Sequence, residues 1–376
     1  MDARRPAGDS EAPSRGLTRG LRGLEYARAM PRLAVLTPFA APSVRGNAVT
    51  VGRVARGLRE RGIAVAVWDL STSSEAAIEA GVEGNPPALI HAFHAYRVGP
   101  LALRLARRLE VPLVVTLTGT DANHDLFDPA RAASVRRVLE GAAAATAFDD
   151  SIVERVAGVL PDLRSRLVVV PQAVRFDAPA PFDLAPYWPL PSERVLFVLP
   201  GGIRPVKAPR TALAGLDALA AADPRVRLLL AGPVLDEPEG VALDRDLAAR
   251  PWARHIGPVP HAQMASLLAV ADVVLNCSIS EGGMPNSVLE ALALGRAVLA
   301  SDIPGNRTLV EDGVTGLLFA DRGALAAQAA RLARDPLLRG RLGAAGRALV
   351  ESRYPPAREL DGYTAVYRRL APVASA

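Results

Sequence analysis

SISEGGMPNSVLEALALGRAVLASDIPGNRTLVEDGVTGLLF, residues 278–319, decides how this chain is read. A strand ends at Ser278, a small loop EGGMPN follows, and a helix begins near Asn286 and stops at Gly295. AVLAS (297–301) and GLLF (316–319) are further apolar strands. Strand, glycine loop, helix and strand in that order make one winding of a parallel α/β sheet. The N-terminus of such a helix presents unpaired N–H groups and a partial positive charge, which suits a diphosphate. Asn286 or Ser287 is placed to cap it. Glu290, early in the helix, is placed to accept hydrogen bonds from ribose hydroxyls. The plainer alternative is a carboxylate that only complements the helix dipole, worth about 0.3–1 kcal/mol.

The same rhythm extends in both directions. RVLFVLPGG (194–202), RVRLLLAGPV (225–234), HIGPV (255–259) and DVVLNCS (272–278) read as strands separated by helices. Further back, RLAVLTPF (32–39), IAVAVWDL (63–70), ALIHAFHA (88–95), PLVVTLTG (112–119), AAATAFD (143–149) and RLVVVPQAV (166–174) alternate with helical stretches. Buried runs of this kind predict parallel sheets covered on both faces. Between the two series, FDAPAPFDLAPYWPLPSE (176–193) carries five prolines, at 179, 181, 186, 189 and 191, too many for a helix interior or a central strand. It reads as a linker.

The expected organisation is therefore a disordered tail over 1–29, a Rossmann-like domain over 30–175, the linker, and a second Rossmann-like domain over 194–355. A C-terminal helix over 356–376 is expected to pack back on the first domain. Two doubly wound halves put a ligand cleft between the carboxyl ends of both sheets.

Composition excludes several classes. With 376 residues, 50% hydrophobic and 22% charged, the chain is globular and long enough for two cores. The net charge of +5 is spread along the chain, with no basic block to read nucleic acid. The single cysteine rules out a disulfide framework and a cysteine metal cage. No apolar run approaches the ~18 residues of a spanning helix, so a cytoplasmic location is expected, with peripheral membrane contact left open.

Three loops carry candidate chemistry. The first is the EGGMPN loop. In the second, PGGIRPVKAPRTAL (200–213), Gly202, Arg204 and Lys207 stand between a strand and a helix. Lys207 is the only lysine in the chain, which otherwise uses arginine. A compact ammonium kept at one position suggests a place where a planar guanidinium does not fit. The third loop region is VRGNAVTVGRVA (44–55), with Gly46 and Asn47, together with TLTGTDANHD (116–125), which contributes Thr118, Gly119, Thr120 and Asp121. The first of these is not G-x-G-x-x-G, so a dinucleotide fingerprint is absent.

Residues 278–319 resemble the donor-binding motif of retaining GT-B glycosyltransferases of the glycogen-synthase and sucrose-synthase kind. The resemblance covers essentially all of 31–370. It implies that Glu281 lies near the donor sugar and that Glu290 holds the ribose. It also implies that Gly282, Gly283, Met284, Pro285, Asn286 and Ser287 bind the donor diphosphate, with Arg204 and Lys207 neutralising it. Relatives usually leave seven residues between the two glutamates; here there are eight, as though one glycine of the Gly282–Gly283 pair were inserted. Where many relatives place a histidine on the donor sugar, this chain has Thr118 to Asp121. GN-V-T, TGTD, GIRPVK and SEGG together look closer to two offshoots, the glycosyltransferase-1-domain-containing proteins and the bacterial selenosugar synthases.

The resemblance implies a retaining transfer from a nucleotide-diphosphate sugar such as a UDP-sugar to a small-molecule or glycan acceptor, with no metal and no cofactor. The alternatives are transfer to selenophosphate, a sugar-nucleotide epimerase, and a non-catalytic sugar-nucleotide binder. Other candidates do not read as metal or catalytic sites. His91 and His94, on one expected strand, face opposite sides and read as core or cleft-lining histidines; His124–Asp125 lacks further partners for a site; Asp244–Arg245–Asp246 spells D-x-D on a polar helical stretch, a solvated face.

Overall fold

The computed structural model describes residues 32–176 and 180–371. The tail expected over 1–29 lies outside them, as do 177–179 and 372–376. The first half runs β1 (Leu33–Thr37), α1 (Gly46–Glu60), β2 (Val65–Asp69), α2 (Glu75–Glu83), β3 (Leu89–Phe93), α3 (Gly99–Arg108), β4 (Leu113–Thr116), α4 (Ala132–Gly141), β5 (Ala144–Ala147), α5 (Asp150–Val159) and β6 (Leu167–Val169). The second half opens with β7 (Val195–Pro200), α6 (Pro209–Ala222), β8 (Val226–Ala231), α7 (Glu237–Ala248), β9 (Ala253–His255) and α8 (His261–Ala269). It continues through β10 (Val273–Asn276), α9 (Asn286–Ala293), β11 (Ala297–Ser301), α10 (Pro304–Arg307) and β12 (Leu317–Phe319). Three helices close the chain, α11 (Arg322–Arg334), α12 (Pro336–Arg353) and α13 (Pro356–Leu370).

Each half builds one six-stranded sheet, in the orders β2-β1-β3-β4-β5-β6 and β12-β11-β10-β7-β8-β9. All pairings are parallel. The strands are nearly continuous apolar runs because helices cover both faces, giving two buried cores on each sheet. This is the doubly wound GT-B architecture expected from the sequence. In each sheet the order reverses at one point, between β1 and β3 and between β7 and β10. Loops leaving neighbouring strands there diverge to opposite faces and open a crevice. The chain aims both crevices at each other.

The last helix fastens the two halves. From its place at the end of the chain, α13 packs on α1 of the first half, and Leu360 fills the space over Gly57, where a Cβ would come within 2.6 Å of its methyl carbon. Tyr367 Oη and Thr116 Oγ1 bind the two ring nitrogens of His91, each at 2.7 Å. That histidine, wholly buried at the centre of β3, is a core residue. Arg53 of α1 makes a two-pronged ion pair with Glu359 of α13, at 2.9 and 2.8 Å, with both side chains almost fully enclosed. Gln172 adds an acceptor to Arg53 at 3.3 Å. The pair sets the rotation of α1, whose first turn carries Gly46 and Asn47.

Two local expectations are corrected. β3 ends at Phe93, so His94 lies beyond the strand, with a φ of +112°. Neither Asn286 nor Ser287 caps α9. Pro285 occupies the cap position, and no side chain accepts from the first turn.

Replacing Glu359 with alanine strands the Arg53 guanidinium in the core. Removing one partner of a buried pair lowers stability by about 3–5 kcal/mol. Urea unfolding of the Glu359→Ala variant checks this, and a loss under 1 kcal/mol would show that the pair does not fasten α1.

Candidate active site

The loops after β1, β3 and β4 meet the loops after β7, β8 and β10 around one cavity of about 260 Å³. Backbone contact sets their spacing. A Cβ on Gly282 would fall 2.1 Å from Gly119 Cα and 2.4 Å from the Thr118 carbonyl oxygen. Only hydrogen fits there. Gly283, the other member of the pair, has a φ of +104° and lies against Phe148 and Asp149. Both glycines are thus required by the packing, one for close approach and one for its backbone conformation.

Polar contacts complete the closure across the halves. Asn123 Nδ2 donates to the Glu281 carbonyl at 2.6 Å, and Gln172 Nε2 donates to the Met284 carbonyl at 2.5 Å. Asn286 Nδ2 donates to the Gly46 carbonyl at 3.3 Å and to Thr50 Oγ1 at 3.2 Å. The side chain expected to cap its own helix reaches across the cleft instead.

Lys207 and Glu281 form an ion pair at the cavity wall. Glu281 Oε1 also accepts from Ser278 Oγ at 2.6 Å and Asn276 Nδ2 at 3.1 Å. Burial alone would raise the pKa of this carboxyl; the ammonium and the two hydrogen bonds hold it below its ordinary value. Glu281 therefore stays ionised and aims the ammonium, whose remaining protons are available to the cavity. Arg204 lines the cavity as well, and its Nε has no hydrogen-bond partner among the described residues.

Glu290 is buried, 6% exposed, and lines the cavity with one oxygen bound to His261 Nε2 at 2.8 Å. Gly46 and Asn47 of the first half and Gly202, Gly282, Met284, Pro285, Asn286 and Ser287 of the second also line the cavity, whereas Gly283 does not. Pro285 leaves the first N–H groups of α9 without a side-chain acceptor, which places the positive end of a helix dipole in the cavity.

The TGTD segment divides. Thr118 and Thr120 line the cavity, while Gly119 and Asp121 do not. Asp121 is fully buried and accepts the backbone N–H groups of Ala95, Thr118, Gly119 and Ala122 at 2.8–3.1 Å. Its carboxylate ties two loops together and is not free to meet a ligand. His124 and Asp125 make structural contacts: Asp125 accepts from Arg131 at 2.8 Å, and His124 Nε2 lies 3.1 Å from Ser280 Oγ. Asp246 of the D-x-D pairs with Arg210 on the surface of α7.

His94 fits its reading as a cleft-lining histidine, whereas other cavity residues escaped the sequence reading. His94 lines the cavity, and its Nδ1 accepts the backbone N–H of Tyr96 and of Arg97, both at 3.2 Å. The proton therefore sits on Nε2, which lies 3.9 Å from Asp125 and has no hydrogen-bond partner among the described residues. Burial lowers its pKa and keeps the ring neutral, although Asp121 and Asp125 pull the other way. Phe39, Arg45, Arg97 and His261 complete the wall. Arg45 stood beside Gly46 in a quoted loop. Nothing in the pattern marked His261, which opens a helix 29 residues before Glu290.

The family described as "Glycosyl transferases group 1" matches residues 193–335. The chain is 25% identical over 324 residues to "Glycosyltransferase 1 domain-containing protein 1" of Xenopus tropicalis, covering 85% of this chain and 92% of that protein. It is 33% identical over 298 residues to the D-inositol 3-phosphate glycosyltransferase of Frankia alni, covering 72% of each. Among solved structures it is similar to Anabaena Alr3699/HepE in complex with UDP-glucose, with a TM-score of 0.74 at 17% identity over 91% of this chain and all of that one. Sucrose-phosphate synthase from Thermosynechococcus elongatus gives a TM-score of 0.73 at 19% identity, over 90% and 99% of the two chains.

Glu281→Ala leaves Lys207 without its counter-charge at the cavity wall and should lower stability by about 1–3 kcal/mol. Adding Lys207→Met should recover part of that loss, because the two side chains are coupled. Urea unfolding of both single variants and the double gives the cycle. Strictly additive losses would contradict the pairing.

Proposed function

The chain belongs to the group 1 glycosyl transferases, and from that premise we propose that it moves a sugar from a nucleotide diphosphate to an acceptor hydroxyl, with retention at the anomeric carbon and without a metal ion. The observation that carries this reading is one convergence. Lys207, Arg204, the uncapped start of α9 and Glu290 meet in a single cavity at the reversal points of both sheets.

In the transfer, the bond from sugar C1 to the β-phosphate oxygen breaks, and its electron pair leaves with the diphosphate. A bond from C1 to the acceptor oxygen forms on the same face. The acceptor proton passes to an oxygen of the departing diphosphate, so no protein base is needed. The barrier is governed by the negative charge growing on that leaving group, and preorganised cations in a desolvated cleft act on it most strongly. Lys207, held by Glu281, and Arg204 supply fixed positive charge of the kind a divalent ion would otherwise bring. The N–H groups of Asn286 and Ser287 add the helix dipole. Glu281 acts as a positioning residue for Lys207, since its Oε1 is already occupied by three donors.

Glu290, steadied by His261, has its second carboxylate oxygen for the ribose hydroxyls. Ribose does not change during the reaction, so this contact stabilises ground and transition states alike. The UDP-glucose bound by the Anabaena protein on the same fold supports a uridine donor here.

Steady-state assays in excess EDTA test the scheme. Wild-type turnover should be unchanged by the chelator. Glu290→Ala should raise the donor KM at least ten-fold with a smaller change in kcat, and Lys207→Ala should lower kcat by about 10²–10³. Turnover lost to EDTA and restored by Mn²⁺ would sink the metal-free scheme. An unchanged KM in Glu290→Ala would remove the ribose assignment.

A further inference from the structure

The EGGMPN loop is tied to the first half at three places: by Asn123 at its first residue, by Gln172 at Met284, and by its own Asn286 reaching α1. The middle tie differs because its amide is fixed from behind. Gln172, in the loop after β6, is buried. Its Oε1 accepts from Thr50 Oγ1 at 2.7 Å and from Arg53 Nη2 at 3.3 Å, while its Nε2 donates to the Met284 carbonyl at 2.5 Å. Turned over, the amide would set its NH2 group against a guanidinium, two donors face to face. Its oxygen would meet the Met284 carbonyl, two acceptors. A threonine hydroxyl serves either orientation, since it both donates and accepts; a guanidinium only donates. Arg53 therefore decides which way the Gln172 amide points.

Arg53 is decided in turn by α13. It lies three residues after Thr50 on the same face of α1. The two-pronged pair with Glu359 leaves its guanidinium one orientation. Burial works against the charge on Arg53; attraction from Glu359, with smaller contributions from Tyr363 and from Glu290 of the cavity wall, outweighs it and raises the pKa. Among the described residues, none of α13 lines the cavity. At the other end of the chain of contacts, the Met284 carbonyl shares a peptide plane with the nitrogen of Pro285. Pro285 holds the cap position of α9. Fixing that carbonyl fixes the plane from which the free N–H groups of the helix depart.

We propose that Gln172 is a positioning residue for the anion-binding start of α9, and that Glu359 governs it through Arg53, so that the C-terminal helix tunes donor affinity without reaching the cavity. The donor reading supplies what the loop binds; the chain of contacts itself belongs to the nucleotide-free protein. By linkage, a nucleotide held at the loop tightens α13 on α1 as much as α13 tightens the nucleotide.

Hydrogen exchange over residues 282–289 of the nucleotide-free protein tests the contacts alone. Gln172→Met removes the amide at similar volume. Gln172→Glu keeps the acceptor for Thr50 and Arg53 but turns an oxygen on the Met284 carbonyl, and it adds a charge partner for Arg53, so a merely structural role predicts no loosening. Both should speed exchange there by roughly five-fold or more, about the worth of one buried hydrogen bond, with β8 and β9 unchanged. Glu359→Gln should do likewise; if it does not fold, Glu359→Asp, which keeps the charge and shortens the reach, takes its place. Wild-type exchange over the loop in either Gln172 variant, or in the folded Glu359 variant, overturns the proposal.

Calorimetry with UDP, GDP, ADP and CDP then reads the donor side. The nucleotide that wild type binds most tightly should bind Gln172→Met roughly five-fold or more weakly. The Glu359 variant should weaken it as well, and combining the two should cost no more than Gln172→Met alone, because both act through one amide. Strictly additive losses, or wild-type affinity in Gln172→Met, overturn the proposal. Binding of none of the four by wild type refutes the donor reading, and the exchange result then decides the positioning role by itself.

Discussion

Everything about the cleft follows from a contact in which two glycines meet. Gly119, from the loop after β4, and Gly282, from the loop after β10, bring the two halves together backbone to backbone, with no room for a methyl group on either. At that separation the carbonyls of Glu281 and Met284 come within reach of Asn123 and Gln172, and Asn286 reaches Gly46 and Thr50. A wider approach would break these hydrogen bonds together and leave buried polar groups unpaired, each worth about 1–3 kcal/mol. Closure is therefore specified by a few short contacts. Most of them come from one six-residue loop.

That loop does a second job at the same time. Glu281, Met284, Pro285 and Asn286 lie at the cavity wall, so the residues that join the halves also shape the site. The chemistry is built on the fold's own dipoles and turns. A helix start without a side-chain cap, a lysine clamped by a carboxylate, and an arginine with an unpartnered Nε all face one space. The helix start and the arginine leave donors uncompensated, which isolated folding would disfavour. Gathered around one cavity, they form a site ready for a polyanion.

The architecture was readable because buried parallel strands leave a distinctive trace, short β-branched and leucine runs separated by helices with glycine stops. The residue types at the loops were readable too: the glycine pair, the only lysine, and the two glutamates. What the pattern could not convey was direction. Asp121 looked like a cleft residue and instead binds four backbone N–H groups, because a carboxylate at a loop turn is as useful to the backbone as to a ligand. Asn286 looked like a cap and crosses to the other half, a contact separated by 240 residues. His94, Arg97 and His261 gained their places from strand ends and helix starts a residue or two from where periodicity put them. One glycine of the Gly282–Gly283 pair read as inserted, and the structure gives each its own steric role. Long-range packing decides such matters, and it leaves no local signal.

The central claim is that the cavity binds a nucleotide through its diphosphate, held by Lys207, Arg204 and the start of α9. The most direct measurement is a calorimetric comparison of UDP, GDP, ADP and CDP with their parent nucleosides on the wild-type protein. The account predicts that at least one diphosphate binds 100-fold or more tightly than its nucleoside, a difference of about 2.7 kcal/mol, and that the gap shrinks with rising salt. Equal affinity of every diphosphate and its nucleoside would contradict it.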